Sequence, residues 1–344
     1  MENQIFRDIN TGLDLNGPIL SITQQPGTAT GIGTTAIKSP NTWTDVANWE
    51  QRAVLDGQSA ESWILNYDTL MYGNDLFVTA GKEGYIATSP DSITWTPTPK
   101  INPASVFPDA GESDLNWLSA AFGNGVFVLV GRRDDVNDTP IAASSSDGIN
   151  WTLVSLKGQD GLHTGLYSVA SDGSKFVATS NQYGMAGIVA HKLVTSTDGI
   201  TWTTIPSSET EEFHTGWMTW GNGVWIIPLA MGSVDYLRST DGITWNRLQI
   251  SGGTTGGNPV AYGNGLWIMM VGTNLIAHST DNALTWTVST HYVDGVTTYG
   301  IRDIAYGPAG WIAGSAGIGG GNPLSSGYLI VSSDGYNWTY PNSN

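Results

Sequence analysis

The chain contains no cysteine, so disulfides, thiolate metal sites and thiol nucleophiles are excluded from the outset. Charge is scarce as well: Asp, Glu, Lys and Arg make up 12% of the 344 residues, about half the usual share. Few of those charges are basic, 13 Lys and Arg against 30 Asp and Glu. The net charge of −17 repels phosphate backbones and anionic headgroups. Neither nucleic acid nor membrane insertion is therefore expected. No apolar run is long enough to span a bilayer, and the opening MENQIFRDINTGLDLNG lacks the basic region and apolar stretch of a secretory leader. Synthesis in a cytoplasm is expected. Helical periodicity is missing too, because no long stretch repeats its apolar residues every 3.6 positions.

What is abundant fits strands. Apolar residues reach 40%, enough for a sizeable core, and 44 Gly accompany 15 Trp and 13 Tyr. Aromatic and β-branched residues favour pleated, half-buried surfaces, and glycine favours the tight turns between them. The composition reads as all-β.

An internal repeat organises the chain. SPDSITW ends at Trp95, SSDGINW at Trp151, STDGITW at Trp202 and again at Trp245, STDNALTW at Trp286 and SSDGYNW at Trp338. The aspartates are Asp91, Asp147, Asp198, Asp241, Asp281 and Asp334, spaced 40 to 56 residues apart. That period fits one four-stranded propeller blade. A second signal precedes each copy: YGND at Tyr72, FGNG at Phe122, SDGS at Ser171, WGNG at Trp220, YGNG at Tyr262 and YGPA at Tyr306. These read as hairpin turns between two apolar runs. An aromatic follows every one, at Phe77, Phe127, Phe176, Trp225, Trp267 and Trp311. One blade is thus strand A, a hairpin, strand B, a variable loop, strand C, the aspartate turn, and strand D beginning at the tryptophan.

The aspartates suit turns, since a carboxylate can accept backbone N–H groups that a tight reversal leaves unpaired. Their tryptophans suit the wedge between sheets. Both sets are therefore expected to be structural rather than catalytic.

On these strings the chain resembles the Asp-box, or BNR-repeat, propellers, whose pattern is roughly S-x-D-x-G-x-T-W between the third and fourth strands of a blade. The resemblance covers Trp63 to Trp338. Five copies are one residue shorter than the family pattern, and the full-length copy, Ser279 to Trp286, has Ala283 where glycine is usual. The resemblance implies a β-propeller of four-stranded antiparallel blades over residues 18–344. Six clear repeats occupy 59–344. A degenerate blade is expected over 18–58, where Ile37 to Asn41 resembles Ala87 to Asp91 and the Asp45 to Trp49 spacing repeats that of Asp91 to Trp95. Seven blades are expected, with six the alternative. Residues 1–17 read as an N-terminal arm.

In an up-and-down meander the A–B and C–D turns share one face, so the longer B–C and D–A connections share the other, where function usually sits. Candidate ligand-binding groups there are Trp63, Trp117, Trp217 and Tyr299 at the entrances to the inner strands, with Arg132, Arg133, His163, His214 and Arg302 beside them. Flat aromatics beside hydrogen-bonding groups suit sugars. The five histidines form no HxH or HExxH pattern, and the loop with Asp134, Asp135, Asn137 and Asp138 lacks EF-hand spacing. No metal and no cofactor are expected.

The motif alone does not choose a function, because it is shared by sialidases, xyloglucanases, sortilin-type receptors, photosystem assembly factors and phage proteins. A sialidase would imply an arginine triad, yet its F-R-I-P start is matched only faintly by Phe6-Arg-Asp-Ile and Ile301-Arg-Asp-Ile. Another glycosidase would need two carboxylates roughly 5 to 10 Å apart, with Asp114, Asp160, Glu211 and Asp235 as candidates. The charge-poor, Gly/Thr/Asn-rich composition without a leader instead favours a non-catalytic virion protein: a bacteriophage tail, fibre or capsid-surface component. Its arm would contact other virion proteins, its loop face host glycans, and its assembly would be a symmetric homo-oligomer on the virion surface.

Overall fold

The structure is a computed structural model that describes residues 67–340, apart from 93, 112–113, 136–137, 159–161, 163, 181–191, 207–213, 231–233, 255–258, 273–274, 291, 294–295, 298–300, 308 and 316–327. Within it, each repeat folds into one antiparallel meander. Blade 1 runs Tyr67–Gly73, Leu76–Gly81, Ile86–Ser89 and Thr96–Pro97; blade 2 runs Leu115–Gly123, Val126–Arg133, Thr139–Ser145 and Thr152–Ser155. Blade 3 comprises Leu166–Ser171, Phe176–Ser180, Leu193–Ser196 and Thr203–Ile205. In blade 4 the inner strand is split into His214–Thr215 and Thr219–Gly221, followed by Val224–Ala230, Asp235–Ser239 and Asn246–Gln249. Blade 5 holds Val260–Gly263, Leu266–Met270, Leu275–Ser279 and Thr287–Thr290. Blade 6 holds Ile301–Gly307, Gly310–Ser315 and Tyr328–Ser332, with a single bridge from Val331 to Thr339 in the place of a fourth strand.

Among the described residues six blades stand, where seven were expected for the chain. The stretch 18–58, from which the seventh was expected, and the arm 1–17 lie outside the described residues, as does Trp63. That stretch departs from the repeat at the points that define a blade. Its sequence has no aromatic-Gly-Asn string, and it offers Asn41 where the other copies have an aspartate.

The turn chemistry accounts for the repeat. In the hairpins of blades 1, 2, 4 and 5 both central residues take positive φ, as at Asn124 (46°) with Gly125 (77°) and Asn264 (50°) with Gly265 (81°). This is the geometry that matches strand twist and that Asn-Gly tolerates best. The asparagine side chain then reaches the next blade: Asn74 Nδ2 donates to Ser146 O at 3.3 Å and Asn124 Nδ2 to Thr197 O at 3.0 Å. The aspartate closes the other turn. Asp198 Oδ1 accepts from the N–H of Ile200 (2.8 Å) and Thr201 (2.7 Å), and Asp334 Oδ1 from those of Tyr336 and Asn337 (both 2.8 Å). Asp147, Asp241 and Asp281 do the same, and Asp91 accepts from Thr94 N–H. Trp202 Nε1 donates back to Gly199 O at 3.0 Å, so the indole is both packed and satisfied.

Adjacent sheets face one another across five apolar cores, joining blades 1–2, 2–3, 3–4, 4–5 and 5–6. The opposite face of blade 1 buries Leu70, Tyr72 and Phe77 beside Trp95. Hydrogen bonds reinforce these seams at the turn face. Ser144 Oγ donates to Asp198 O (2.8 Å), Arg238 Nε to Asn282 O (2.9 Å), and His278 Nε2 bonds Gly335 O (2.8 Å).

The His278 seam is pH-sensitive. Burial pushes this imidazole below its ordinary 6.5, with a smaller opposing pull from Gly335 O and Asp334. The folded state therefore binds its proton less readily than the unfolded chain, so stability is full above about 6.5 and falls as pH drops toward the folded pKa. Glutamine can keep a donor to Gly335 O without titrating. The melting-temperature advantage of the native protein over His278→Gln should therefore shrink between about pH 7.5 and pH 5; a constant difference would refute the assignment.

Candidate functional site

The inner strands carry a repeated irregularity at their starting ends, on the face of the B–C and D–A loops. In blade 2 Trp117 pairs with Gly131 and Ser119 with Val130, which leaves Leu118 as an extra residue. The same bulge makes Asp68 extra in blade 1, Tyr167 in blade 3 and Arg302 in blade 6. In blade 4, Gly216 to Met218 face only Ile227 and Pro228 between the pairs Thr215–Leu229 and Thr219–Ile226. A bulge bends its strand and re-aims a side chain. Burial shows the result: Leu118 is the one residue of Leu115–Gly123 that is not fully buried, and Tyr167 the one of Leu166–Ser171.

The bulges decide which aromatics face the mouth. Trp117, expected to meet ligand, is 0% exposed and sits in the core between blades 1 and 2, its Nε1 without a hydrogen-bond partner. Strict alternation cannot hold across a bulge, so Leu118 takes the outward place. Trp217 is half-buried at the start of the blade 4 inner strand.

Arg132 binds two blades together beside Tyr167. It is the last residue but one of the second strand of blade 2, and Gly165 lets it pass: a Cβ on that glycine would stand 2.6 Å from Arg132 Cβ. Arg132 Nη1 then donates to Tyr167 Oη (3.2 Å) and to Asp138 Oδ2 (3.3 Å), while Nε faces Asp134 at 3.2 Å. Arg133 turns instead toward the blade 1–2 connection. Its two terminal nitrogens donate to Asp109 (3.3 and 3.1 Å), and its guanidinium lies 5.1 Å from the Phe107 ring centroid. The Asp109 bond and charge hold Arg133 protonated above its usual range and, reciprocally, lower Asp109.

Of the other candidates, Tyr299 and His163 lie outside the described residues, and for His214 and Arg302 only the strand position is described. The structure thus brings Arg132 together with Tyr167 and the Asp134–Asp138 loop, and places Arg133 in a separate pairing. Tyr167 and Leu118 were missed in the sequence because a bulge leaves no local signature. Alignment of the inner strands on the hairpin would have found them, since Asp68, Leu118, Tyr167 and Arg302 each stand four residues before the hairpin position occupied by Tyr72, Phe122, Ser171 and Tyr306. Among the expected carboxylates, Asp235 is buried and paired with Arg247 (Nε, 2.7 Å), and Asp114 accepts from Gly111 N–H (3.0 Å). Asp160 and Glu211 lie outside the described residues. Among the described residues no group of three or more His, Cys, Asp or Glu is placed to hold a metal ion.

Solved structures with this arrangement are propellers of distant sequence. A structure of YCF48 bound to D1 peptide aligns with TM-score 0.56 at 17% identity over 77% of each chain. YCF48 from Cyanidioschyzon merolae gives 0.53 at 15% identity over 77% of this chain and 80% of that one. The GH74 enzyme of Niastella koreensis gives 0.54 at 16% identity, covering 88% of this chain and 48% of that one. At such identities the likeness is one of fold. No family model matches the chain, and no curated protein matches it.

Proposed function

We propose that this β-propeller is a non-catalytic recognition module of the Asp-box kind, displayed on a bacteriophage particle, and that it binds surface glycans at the mouth formed by its inner-strand bulges. The observation that carries the reading is the bulge repeated in blades 1, 2, 3 and 6, which in blades 2 and 3 leaves Leu118 and Tyr167 as the residues of their strands that are not fully buried. Tyr167 there is half-buried next to an Arg132–Asp138 pair, and Trp217 stands on the adjoining blade. A sugar presents both complements, an apolar ring face and paired hydroxyls, and aromatic anchors commonly dominate such contacts.

Recognition without turnover is favoured by the state of the acids. The Asp134 and Asp138 carboxylates beside Tyr167 are ion-paired with Arg132. A general acid for glycoside cleavage requires a raised pKa, whereas Asp109, paired with Arg133 on the same loop face, is lowered. Attachment to the particle is assigned to the N-terminal arm, and symmetric self-association to the assembled virion.

A glycan array followed by a cleavage assay on every bound sugar tests this. Binding should weaken by about tenfold or more in Tyr167→Ala and Trp217→Ala, with melting temperatures near that of the native protein, and no sugar should be cleaved. Cleavage would replace the reading with a glycosidase. Binding that survives both substitutions would move the site off the mouth, and no glycan bound would reject glycan recognition.

A further inference from the structure

The opposite face carries a second feature, independent of the mouth. Ile149 (48% exposed), Ile243 (41%), Leu284 (56%) and Tyr336 (53%) are the large hydrophobic residues left exposed among the described residues, and all occupy one repeat position, directly after the tight part of an aspartate turn. Ile200 holds the same place half-buried. Isolated exposed apolar residues need no explanation, but confinement to one position in four of the aspartate turns does. The meander places all these turns at one end of the molecule, so the side chains form an arc of apolar knobs around it.

The ground between the knobs is acidic. Asp75, Asp91, Asp147, Asp172, Asp198, Asp241, Asp281 and Asp334 lie in the turns of this face, and among the described residues Lys175 and Arg238 are the cations there. Both are engaged: Lys175 Nζ donates to Asp241 O and Arg238 Nε to Asn282 O. The turns are also fixed. Asn74, Asn124 and Asn222 each tie a hairpin to the aspartate turn of the following blade, so the knobs stand on a hydrogen-bonded platform that need not order on binding.

We propose that this turn face is a docking surface for a basic polypeptide partner that presents apolar side chains, as a cationic amphipathic helix does. Charge selects that occupant. A second copy of the chain would bring acidic face against acidic face, and an anionic bilayer would be repelled in the same way. A basic partner gains steering from the aspartates and burial from the knobs.

The probe is a fluorescent amphipathic Lys/Leu peptide about five helical turns long, with a Lys/Ser peptide of equal charge as control, read by anisotropy at two salt concentrations. The Lys/Leu peptide should bind at least about tenfold more tightly than Lys/Ser. The triple variant Ile149→Ser, Ile243→Ser, Leu284→Ser should lose about tenfold or more while melting like the native protein. Should the triple variant fold poorly, Ile149→Ser and Leu284→Ser singly should each weaken binding about threefold. Equal binding of the two peptides, or unchanged affinity in the variants, overturns the proposal. So does native self-association in sedimentation, or binding to phosphatidylglycerol vesicles, that the triple variant abolishes, for the occupant would then be a second copy or a membrane.

Discussion

Gly263→Ala is expected to destabilise the protein by about 3 kcal/mol through overpacking alone. A Cβ at that position would stand 2.0 Å from Cγ, 2.3 Å from Cβ and 2.5 Å from Cδ1 of Tyr306, inside the ring of the next blade. The ring cannot retreat freely, because it packs across its own hairpin against Trp311 with centroids 5.0 Å apart. Gly73 meets Phe122 and Gly221 meets Tyr262 in the same way, at 2.2 and 2.6 Å. The glycine before the hairpin in blades 1, 4 and 5 is therefore a seat for the aromatic of the following blade. Gly125→Ala supplies the control. Gly125 has φ of 77° and nothing within 4 Å of a Cβ, so alanine there incurs only the left-handed backbone penalty, about 1 kcal/mol. Urea denaturation of both variants separates the two effects, and Gly263→Ala no more costly than Gly125→Ala would refute the seat.

That seat shows why the scaffold could be read from the sequence. A tyrosine-glycine-asparagine string records three requirements at once: an aromatic that covers the previous blade, a glycine that receives the next, and an asparagine in left-handed geometry that bonds across the seam. Each requirement is local in sequence and repeated, so the strings carry the blade. The inner mouth obeys no such rule. One extra residue in the inner strands of blades 1, 2, 3 and 6 shifts the alternation, which in blade 2 sends Trp117 inward and Leu118 outward, and nothing at Leu118 or Tyr167 announces it. The pairing of Arg132 with Tyr167 depends on two blades 35 residues apart and on the passage left by Gly165. The blade count was less legible than the blade, since the stretch 18–58 shares with the repeat only the short string Ile37 to Asn41 and one Asp-to-Trp spacing.

The repeated aspartates make a collective acid response the second large effect. Asp147, Asp281 and Asp334 are held well below the usual carboxylate range, chiefly by bonds from the backbone and side chains of Asn150, Thr285 and Asn337. At Asp241 burial is the largest single influence and acts upward, yet bonds from Thr244 and Ile243 outweigh it and bring the group down to about 2; Asp198 is lowered with the same balance. A folded pKa below the unfolded 3.8 means that the unfolded chain takes up protons first. The stability these turns supply is thus complete above about pH 4 and drains as pH falls through the folded values. Because the groups act in five blades, cooperative unfolding should steepen below about pH 4. Asp241→Asn isolates one contribution: the amide oxygen still accepts from Ile243 and Thr244 N–H but does not titrate. Melting temperatures of the native protein and Asp241→Asn should be furthest apart near neutrality, native higher, and should converge between about pH 4 and pH 2. Parallel curves over that range would mean that the charge of the turn aspartate contributes nothing, and that the carboxylate serves only as a shape an amide can replace.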